Sequence, residues 1–253
     1  MTPILNAIIC DDEPPARRLL GRMLADMPDV RVLSDHATAA DALQAIETGG
    51  VDLVFMDVEM PELSGVDAAS RIEVDRKPLI VFTTAHPEYA VDAFGIDAID
   101  YVLKPFDRTR LRQAIDKAAR LHRLIRTRPE PAETRRPDGE ARPVDSRINL
   151  QDGAGSHFLE TSDIVWVEAA GDYSVIHKTG AELVLRRTLS SLAEVLPDRH
   201  FARVHRSSIV GLAHVEHIRR RAKGEAELTL STGTQVRASR SYRDTVARLL
   251  ERL

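Results

Sequence analysis

Apolar segments alternate with helical spacing over the first half of the chain. Short apolar runs predict five strands, at Ile4–Cys10, Val30–Leu33, Leu53–Met56, Leu79–Phe82 and Ile99–Leu103. The run Leu53–Met56 is of the kind that a strand buried on both faces shows. The spacing between them predicts four helices, over Pro14–Met27, Ala39–Glu47, Val66–Glu73 and Glu88–Phe94, and Asp107 caps a fifth, longer one. Five β–α repeats predict an α/β fold with a five-stranded parallel sheet, doubly wound by helices on both faces.

Three of the helices are amphipathic, and their apolar positions predict which residues face the core. For the first helix these are Leu19, Leu20, Met23 and Leu24. For the helix after Asp107 they are Leu111, Ala114, Ile115, Ala118 and Leu121. A helix over Ser241–Leu253 has Val246, Leu249 and Leu250.

The pattern changes in the last part of the chain, where short β-like runs lie between Gly, Asp and Ser turns. Ten strands are predicted, at Arg147–Leu150, His157–Glu160, Ile164–Glu168, Tyr173–Lys178, Glu182–Arg186, Phe201–Val204, Ser208–Val210, Val215–Arg219, Glu225–Leu230 and Gln235–Ala238. One helix is predicted among them, over Thr188–Leu196. Many short strands predict a mostly-β sandwich or barrel.

Between these two parts the chain has almost nothing to bury. Residues 126–146 contain four prolines and ten charged residues, which predicts a flexible linker. We therefore expect a first domain over residues 1–125 and a second over residues 147–253. Residues 1–123 have a net charge of −7 and residues 147–253 a net charge of +3, so a polyanion would prefer the second domain.

The amino-acid composition bears on the cellular compartment of the protein. The 253 residues are 43% hydrophobic and 29% charged, as in ordinary globular proteins. Cys10 is the single cysteine, which fits a reducing compartment. No stretch has the length and apolarity of a signal peptide or a membrane span, so we expect a cytoplasmic protein with no membrane partner.

Polar residues follow the ends of several predicted strands. They are Asp11, Asp12, Glu13, Asp57, Thr84 and Lys104. Each alone fits a turn, a helix cap or a surface charge. In a parallel sheet, however, the carboxyl ends of the strands share one edge, where binding sites form. Clustered aspartates there favour Mg²⁺, and a lysine with a hydroxyl group suits a phosphoryl group.

These residues match a known family. Residues 4–123 resemble the receiver domain of two-component response regulators, through Asp11-Asp12, the loop from Asp57 to Gly65 with Met60-Pro61, Thr84-Ala85, and Lys104-Pro105 with Tyr101. The resemblance implies a flavodoxin-like fold and a sensor histidine kinase as partner.

The resemblance also implies residue roles. Asp57 would accept the phosphoryl group, and Lys104 would pair with its oxygens. Asp12, Asp57 and the backbone carbonyl of Glu59 would hold Mg²⁺, with Asp11 acting through water. Thr84 and Tyr101 would form the switch, and the Lys104–Pro105 bond would be cis.

The last part contains no helix-turn-helix pattern, and its basic residues fall at turns and strand ends. It resembles the LytTR-type DNA-binding domain. The matching strings are Ile164–Tyr173, Arg187-Thr-Leu, Phe201–Ile209 and Val236–Arg240 followed by Tyr242. The chain thus resembles a response regulator of the LytR/AlgR type. Asp172 and Gly211 stand where that family commonly has asparagine.

The second resemblance implies contacts with double-stranded promoter DNA. Asp172 and Tyr173 lie in the first loop, and Arg206 and Arg240 are the candidates for reading bases, because arginine can bond guanine bidentately. The candidates for phosphate contact are Lys178, Arg203, Arg219, Arg220, Arg221, Lys223 and Arg243. Charge runs are also common on solvated hairpin tips.

The resulting hypothesis is a non-enzymatic transcription regulator. Phosphorylation of Asp57 would promote homodimerisation through the receiver domain and so promoter binding. Two alternatives stay open: an adaptor whose β domain binds protein or RNA, and an Mg²⁺-dependent aspartyl-nucleophile phosphatase. The phosphatase fits less well, because in that class the nucleophile follows the first strand and an acidic pair comes late in the chain.

Overall fold

The computed structural model describes residues 4–73, 77–86, 98–127, 147–152 and 155–251. The chain forms two compact units, Met1–Arg126 and Thr127–Leu253. The predicted helix over Glu88–Phe94 and nearly all of the predicted linker lie outside the described residues. No helix of the described ranges is long and apolar enough to cross a membrane.

The N-terminal unit contains a five-stranded parallel sheet, as predicted. Its strands are β1 (Leu5–Cys10), β2 (Val30–His36), β3 (Leu53–Asp57), β4 (Leu79–Thr84) and β5 (Asp100–Leu103), in the spatial order β2-β1-β3-β4-β5. Every residue of β3 and β4 is buried. Strands covered on both faces gain most from a continuous apolar sequence, which explains why these runs do not alternate.

Four described helices belong to this sheet: α1 (Pro14–Ala25), α2 (Ala39–Glu47), α3 (Gly65–Arg71) and α4 (Arg108–Arg126). Side chains cap the N-termini of three of these helices. The Thr38 hydroxyl accepts from the Asp41 amide at 3.2 Å, the Ser64 hydroxyl from the Asp67 amide at 3.1 Å, and the Asp107 carboxylate from the Arg110 amide at 2.7 Å. Each satisfies one of the free N–H groups of a first turn.

The predicted inner face of α4 is buried as expected. In α1 the prediction is wrong for Leu19, which is 38% exposed, whereas Leu20 and Leu24 are buried. Leu20 and Leu24 are four residues apart and so lie on the same side of the helix, which is the buried side.

The C-terminal unit contains ten described strands: β6 (Arg147–Asp152), β7 (Gly155–Glu160), β8 (Ile164–Ala170), β9 (Tyr173–Lys178), β10 (Ala181–Leu185), β11 (Phe201–His205), β12 (Ser208–Gly211), β13 (Val215–Arg220), β14 (Ala226–Leu230) and β15 (Gln235–Ala238). They form three antiparallel sheets, with the orders β6-β7, β10-β9-β8-β12-β11 and β13-β14-β15. Two helices accompany them, α5 (Leu189–Ala193) and α6 (Arg243–Leu250), both shorter than predicted.

The five-stranded sheet lies between two apolar cores. One face packs with β6-β7 and α5 through residues such as Leu150, Ile176 and Leu192. The other packs with the three-stranded sheet and α6 through residues such as Val210 and Leu228. The arrangement is a layered sandwich, and the described strands of this unit close no barrel. Leu250 of α6 is 37% exposed, which corrects its predicted inward position.

Gly211, at the end of β12, lies where the backbones of β8 and β12 are too close for a side chain. A Cβ atom there would lie 2.3 Å from the carbonyl oxygen of Ile164. Because real Cβ atoms do not approach a carbonyl so closely, a side chain would force β8 and β12 apart. This contact accounts for glycine at a position where the resembled family commonly has asparagine.

Candidate functional site: an acidic cleft and a basic loop surface

The edge of the N-terminal sheet brings together side chains from the ends of three strands. The Nζ atom of Lys104, after β5, lies 2.6 Å from Asp57 Oδ2, at the end of β3. The same Nζ lies 2.8 Å from Asp11 Oδ2 and 3.0 Å from Glu13 Oε2, after β1. One ammonium group thus contacts three carboxylates that are far apart in the sequence.

Burial strengthens the electrostatics of this cluster. Asp11 is 1% exposed and Asp57 is 5% exposed. Burial raises the pKa of Asp57 above its usual range, although the hydrogen bond and the charge of Lys104 oppose the rise. Burial would lower the pKa of Lys104, but its bonds to Asp11, Asp57 and Glu13 outweigh burial and raise it. The cluster therefore holds Lys104 charged.

Backbone groups fix the loop that follows Asp57. The Glu59 amide donates to Asp57 Oδ1 at 3.2 Å, and the Gly65 amide donates to the Val58 carbonyl at 3.0 Å. A Cβ atom on Gly65 would lie 1.9 Å from the Asp57 carbonyl oxygen. The glycine eight residues after Asp57 therefore lets α3 begin directly against the end of β3.

The two predicted switch residues lie on β4 and β5. Thr84 is fully buried, and its Oγ1 accepts from the His86 amide at 3.0 Å. The Tyr101 ring is partly buried and lies 5.5 Å from the Phe82 ring, between centroids. The Lys104–Pro105 bond is cis, as expected.

The acidic cluster also has the donor chemistry of a divalent-cation site. One carboxylate oxygen each from Asp11, Asp12 and Asp57 lies within 4.8 Å of the others. Asp12 and Asp57 open onto a cavity of about 740 Å³, which Glu59, Met60 and Ala85 also line. Hard oxygen donors beside open space fit Mg²⁺, which retains several water ligands.

Two contacts around the cleft were not predicted from the sequence. Arg17 of α1 donates to the Asp11 carbonyl at 2.6 Å. His86 Nε2 lies 3.2 Å from Glu59 Oε2, joining the loops after β3 and β4. The sequence contains a weak indication of the Arg17 contact, since Arg17 lies near the start of the helix after β1. It contains no indication of the contact between His86 and Glu59, which depends on how the two loops approach each other.

In the C-terminal unit, the turns at one end of the five-stranded sheet carry basic and polar residues. The β8–β9 turn contains Asp172, and the β11–β12 turn contains Arg206. The Ala169 amide donates to the Ser207 carbonyl at 3.0 Å, so these two turns are neighbours. Arg206 is exposed at its turn.

The three-stranded sheet places Arg240 next to the same turns. The Ser239 amide donates to the Val204 carbonyl of β11 at 3.0 Å, just before the Arg206 turn. Arg240 Cγ lies 3.7 Å from the position of a Cβ on Gly224, so the β13–β14 turn is adjacent. The loops around Asp172, Arg206, Lys223 and Arg240 thus lie at one end of the unit, and we call this the basic loop surface.

Three predicted DNA-contact residues have other placements. Lys178 pairs with Ile164 at the opposite end of β8 and β9 from the Asp172 turn, so it lies away from the basic loop surface. Arg221 donates to Glu227 at 2.8 Å, which offsets its charge. Arg203 donates to the Arg206 carbonyl at 2.8 Å, within the turn.

The remaining phosphate candidates are exposed. They are Arg219, Arg220, Lys223 and Arg243. Arg243 lies 3.4 Å from the neighbouring Asp244, a contact between two strongly exposed groups that contributes little. Tyr173 is partly buried, with the Arg186 guanidinium 5.7 Å from its ring centroid.

Comparison with known proteins matches both units. Residues 7–116 match the response regulator receiver domain, and residues 154–251 match the LytTr DNA-binding domain. The response regulatory domain of protein mrkE from Klebsiella pneumoniae is a similar solved structure, with 31% identity and a TM-score of 0.43, covering 47% of this chain and 98% of that one.

Relatives match over nearly the whole length. The transcriptional regulatory protein BtsR of Escherichia coli K12 is 32% identical over 243 residues, 94% of this chain and 96% of BtsR. The positive alginate biosynthesis regulatory protein of Pseudomonas aeruginosa is 30% identical over 253 residues, 98% of this chain and 100% of that protein. With both domains matched in the same order, the chain belongs to the LytTR-type response regulators.

Proposed function

We propose that this protein is a phosphorylation-dependent DNA-binding transcription regulator. A sensor histidine kinase phosphorylates Asp57, the modified receiver domain forms a homodimer, and the paired LytTR domains bind promoter DNA. The observation that carries the proposal is the contact of Lys104 Nζ with Asp57 at 2.6 Å inside a buried acidic cluster. A buried carboxylate beside a fixed cation and an open cavity is suited to accept a phosphoryl group.

The transfer is a substitution at phosphorus. An Asp57 carboxylate oxygen attacks the phosphorus of a phosphohistidine, the new P–O bond forms, and the P–N bond breaks with its electron pair returning to the imidazole of the kinase. Lys104 already lies where it can pair with the phosphoryl oxygens. Mg²⁺, held by Asp12, Asp57 and the Glu59 carbonyl with Asp11 through water, would offset the phosphoryl charge.

The switch uses the neighbouring strands. A phosphoryl group offers new acceptor oxygens, and the Thr84 hydroxyl can turn towards them from its present bond with the His86 amide. The space that Thr84 leaves can accept the Tyr101 ring. Both changes alter the β4–β5 side of the receiver, which gives the two-state element that pairing would use.

In the DNA-binding domain, Arg206 and Arg240 are the proposed base readers, since they lie on neighbouring loops of one surface. Arg219, Arg220, Lys223 and Arg243 are the proposed phosphate contacts, with Asp172 and Tyr173 in the first loop. Arg221 contributes less because of Glu227. Lys178 would contact only a duplex that extends to the opposite end of the domain.

The test is gel-shift titration of the wild type and Asp57→Asn, with and without acetyl phosphate. We expect the phosphodonor to raise the affinity of the wild type for promoter DNA at least about tenfold, and to leave Asp57→Asn unchanged. Asp26→Asn is the matched control, because Asp26 forms an exposed pair with Arg108 and should respond as the wild type does. A phosphodonor response retained in Asp57→Asn would refute the switch.

The salt dependence of the same titration separates DNA binding from an adaptor function. Counterion release predicts that the logarithm of affinity falls linearly with the logarithm of salt concentration, with a slope of about −0.9 per phosphate contact. An affinity for DNA that is weak and independent of salt would favour a protein partner for the β domain.

A further inference from the structure

The turn that carries Arg206 is held by side chains of its own neighbours. Arg206 is exposed, whereas Arg203, His205 and Ser207 around it are partly buried. The two-residue connection between β11 and β12 leaves backbone groups without partners in either strand. Side chains of β11 bond several of the groups next to Arg206, and the Ala169 amide of β8 donates to the Ser207 carbonyl at 3.0 Å.

Arg203 bonds the turn from one side. Its guanidinium donates to the Arg206 carbonyl at 2.8 Å and, with a longer contact of 3.4 Å, to the His205 carbonyl. A third contact, at 3.3 Å, reaches the Ser190 hydroxyl of α5. The planar guanidinium can reach three acceptors at once, whereas a lysine ammonium is a single point of charge.

His205 bonds the turn from the other side. Its Nδ1 accepts from the Ser207 amide at 3.2 Å and lies 2.7 Å from the Ser207 hydroxyl. An imidazole nitrogen that accepts an N–H bond has no proton, so the ring is neutral with its hydrogen on Nε2. The pKa of His205 is lowered by burial and by the charges of Arg206, Arg237 and Arg203, which agrees with a neutral ring.

We propose that Arg203 and His205 are positioning residues that preset the Arg206 turn, and so the base specificity of the domain, without contacting DNA. The inference rests on the proposed function, and it replaces the prediction that Arg203 contacts phosphate. A bidentate contact with a base requires the guanidinium within a few tenths of an ångström, so a mobile turn loses specificity while its charge is kept.

The experiment compares two probes, a duplex selected from a random pool by the wild-type protein and a scrambled duplex of equal composition. We expect Arg203→Lys to weaken binding to the selected duplex about tenfold and binding to the scrambled duplex less than about twofold. The salt slope should not change. In an Arg206→Ala background, Arg203→Lys should cause no further loss, because its effect acts through Arg206.

Two substitutions of His205 test the proposal independently. His205→Ala should lose selectivity as Arg203→Lys does, whereas His205→Asn should retain most of it, since an asparagine oxygen can replace Nδ1 as acceptor. Arg248→Lys, on the exposed side of α6, is the control and should match the wild type. Hydrogen exchange at the Ser207 amide should accelerate in His205→Ala but not in His205→Asn, and this measurement applies even if Arg203→Lys is poorly folded.

Three results would overturn the proposal. One is Arg203→Ala weakening both duplexes equally and lowering the salt slope by about one, which marks a phosphate contact. Another is Arg203→Lys retaining the wild-type selectivity while the wild type itself discriminates between the probes. If the wild type binds neither duplex with salt dependence, then the DNA-binding function fails and the positioning role fails with it.

Discussion

Gly65 shows how one residue determines the geometry of the cleft. A Cβ atom there would overlap the Asp57 carbonyl oxygen at 1.9 Å and approach Met56 Cγ at 2.9 Å. The Asp57 carbonyl belongs to the most buried part of the sheet and cannot move without shifting β3. The absence of a side chain at residue 65 therefore allows the start of α3 to lie directly against the end of β3.

Gly65→Ala should lower the free energy of unfolding of the receiver domain by about 1–3 kcal/mol or more, as expected for overpacking against a rigid neighbour. The measurement is urea denaturation of the full chain followed by circular dichroism. Gly21→Ala is the control: its Cβ would meet only Ile9 Cδ1 at 3.7 Å, and alanine in a helix should raise stability by about 0.5–1 kcal/mol. Equal effects at the two glycines would contradict the steric explanation.

Among the strands and turns of the C-terminal domain, some arginines form ion pairs with glutamates. The turn after β13 and the strand β15 each carry an arginine paired with a glutamate, Arg221 with Glu227 and Arg237 with Glu225. Arg206 and Arg240 instead lie on adjoining loops at the ends of β11 and β15. Glutamates thus offset part of the positive charge of this domain, and Arg206 and Arg240 are exposed on neighbouring loops.

We expect Arg206→Ala and Arg240→Ala each to cost about 1–3 kcal/mol on a selected duplex and to relax base preference at one position. Arg221→Ala should cost less than about 1 kcal/mol, uniformly over all duplexes, because the Arg221 guanidinium is already bonded to Glu227. Binding titrations on a panel of single-base variants measure both quantities. A uniform loss for Arg206→Ala across the panel would reassign it to the DNA backbone.

For the whole molecule, the relevant quantity is the effective concentration of a second DNA-binding domain. If phosphorylation acts by pairing receivers, then the second binding event becomes intramolecular, and affinity rises without a new protein–DNA contact. The gain should then depend on the number of half-sites in the DNA.

Acetyl phosphate should therefore raise wild-type affinity for a duplex with two half-sites by about 10²-fold or more, and leave affinity for one half-site within about twofold. Fluorescence anisotropy with the two duplexes measures the ratio, and sedimentation velocity checks for the dimer. A comparable gain on a single half-site would instead point to a change within the DNA-binding domain.

The sequence pattern predicted the strands of both domains and the parallel sheet of the first domain, whereas for the second it left a sandwich and a barrel open. Continuous apolar runs separated by helical spacing allow little besides a parallel sheet with helices on both faces, and the position of each polar residue after a strand follows from that topology. For this reason the positions of Asp57 and Lys104 and the start of α4 after Asp107 could be predicted from the sequence. The side of α1 that meets the sheet was predicted less well, because Leu19 and Leu20 are equally apolar and only packing distinguishes them.

Which charged groups come into contact depends on how the strands and turns pack. Arg203 and Arg206 look alike in the sequence, yet Arg203 is partly buried and bonded to the Arg206 carbonyl, and Arg206 is exposed. The sign and spacing of charges are local properties of the chain, whereas partners such as Glu227 for Arg221 are set by strand register. Close backbone approaches, as at Gly211, are likewise invisible until the strands are packed, since they depend on distances between segments far apart in the chain.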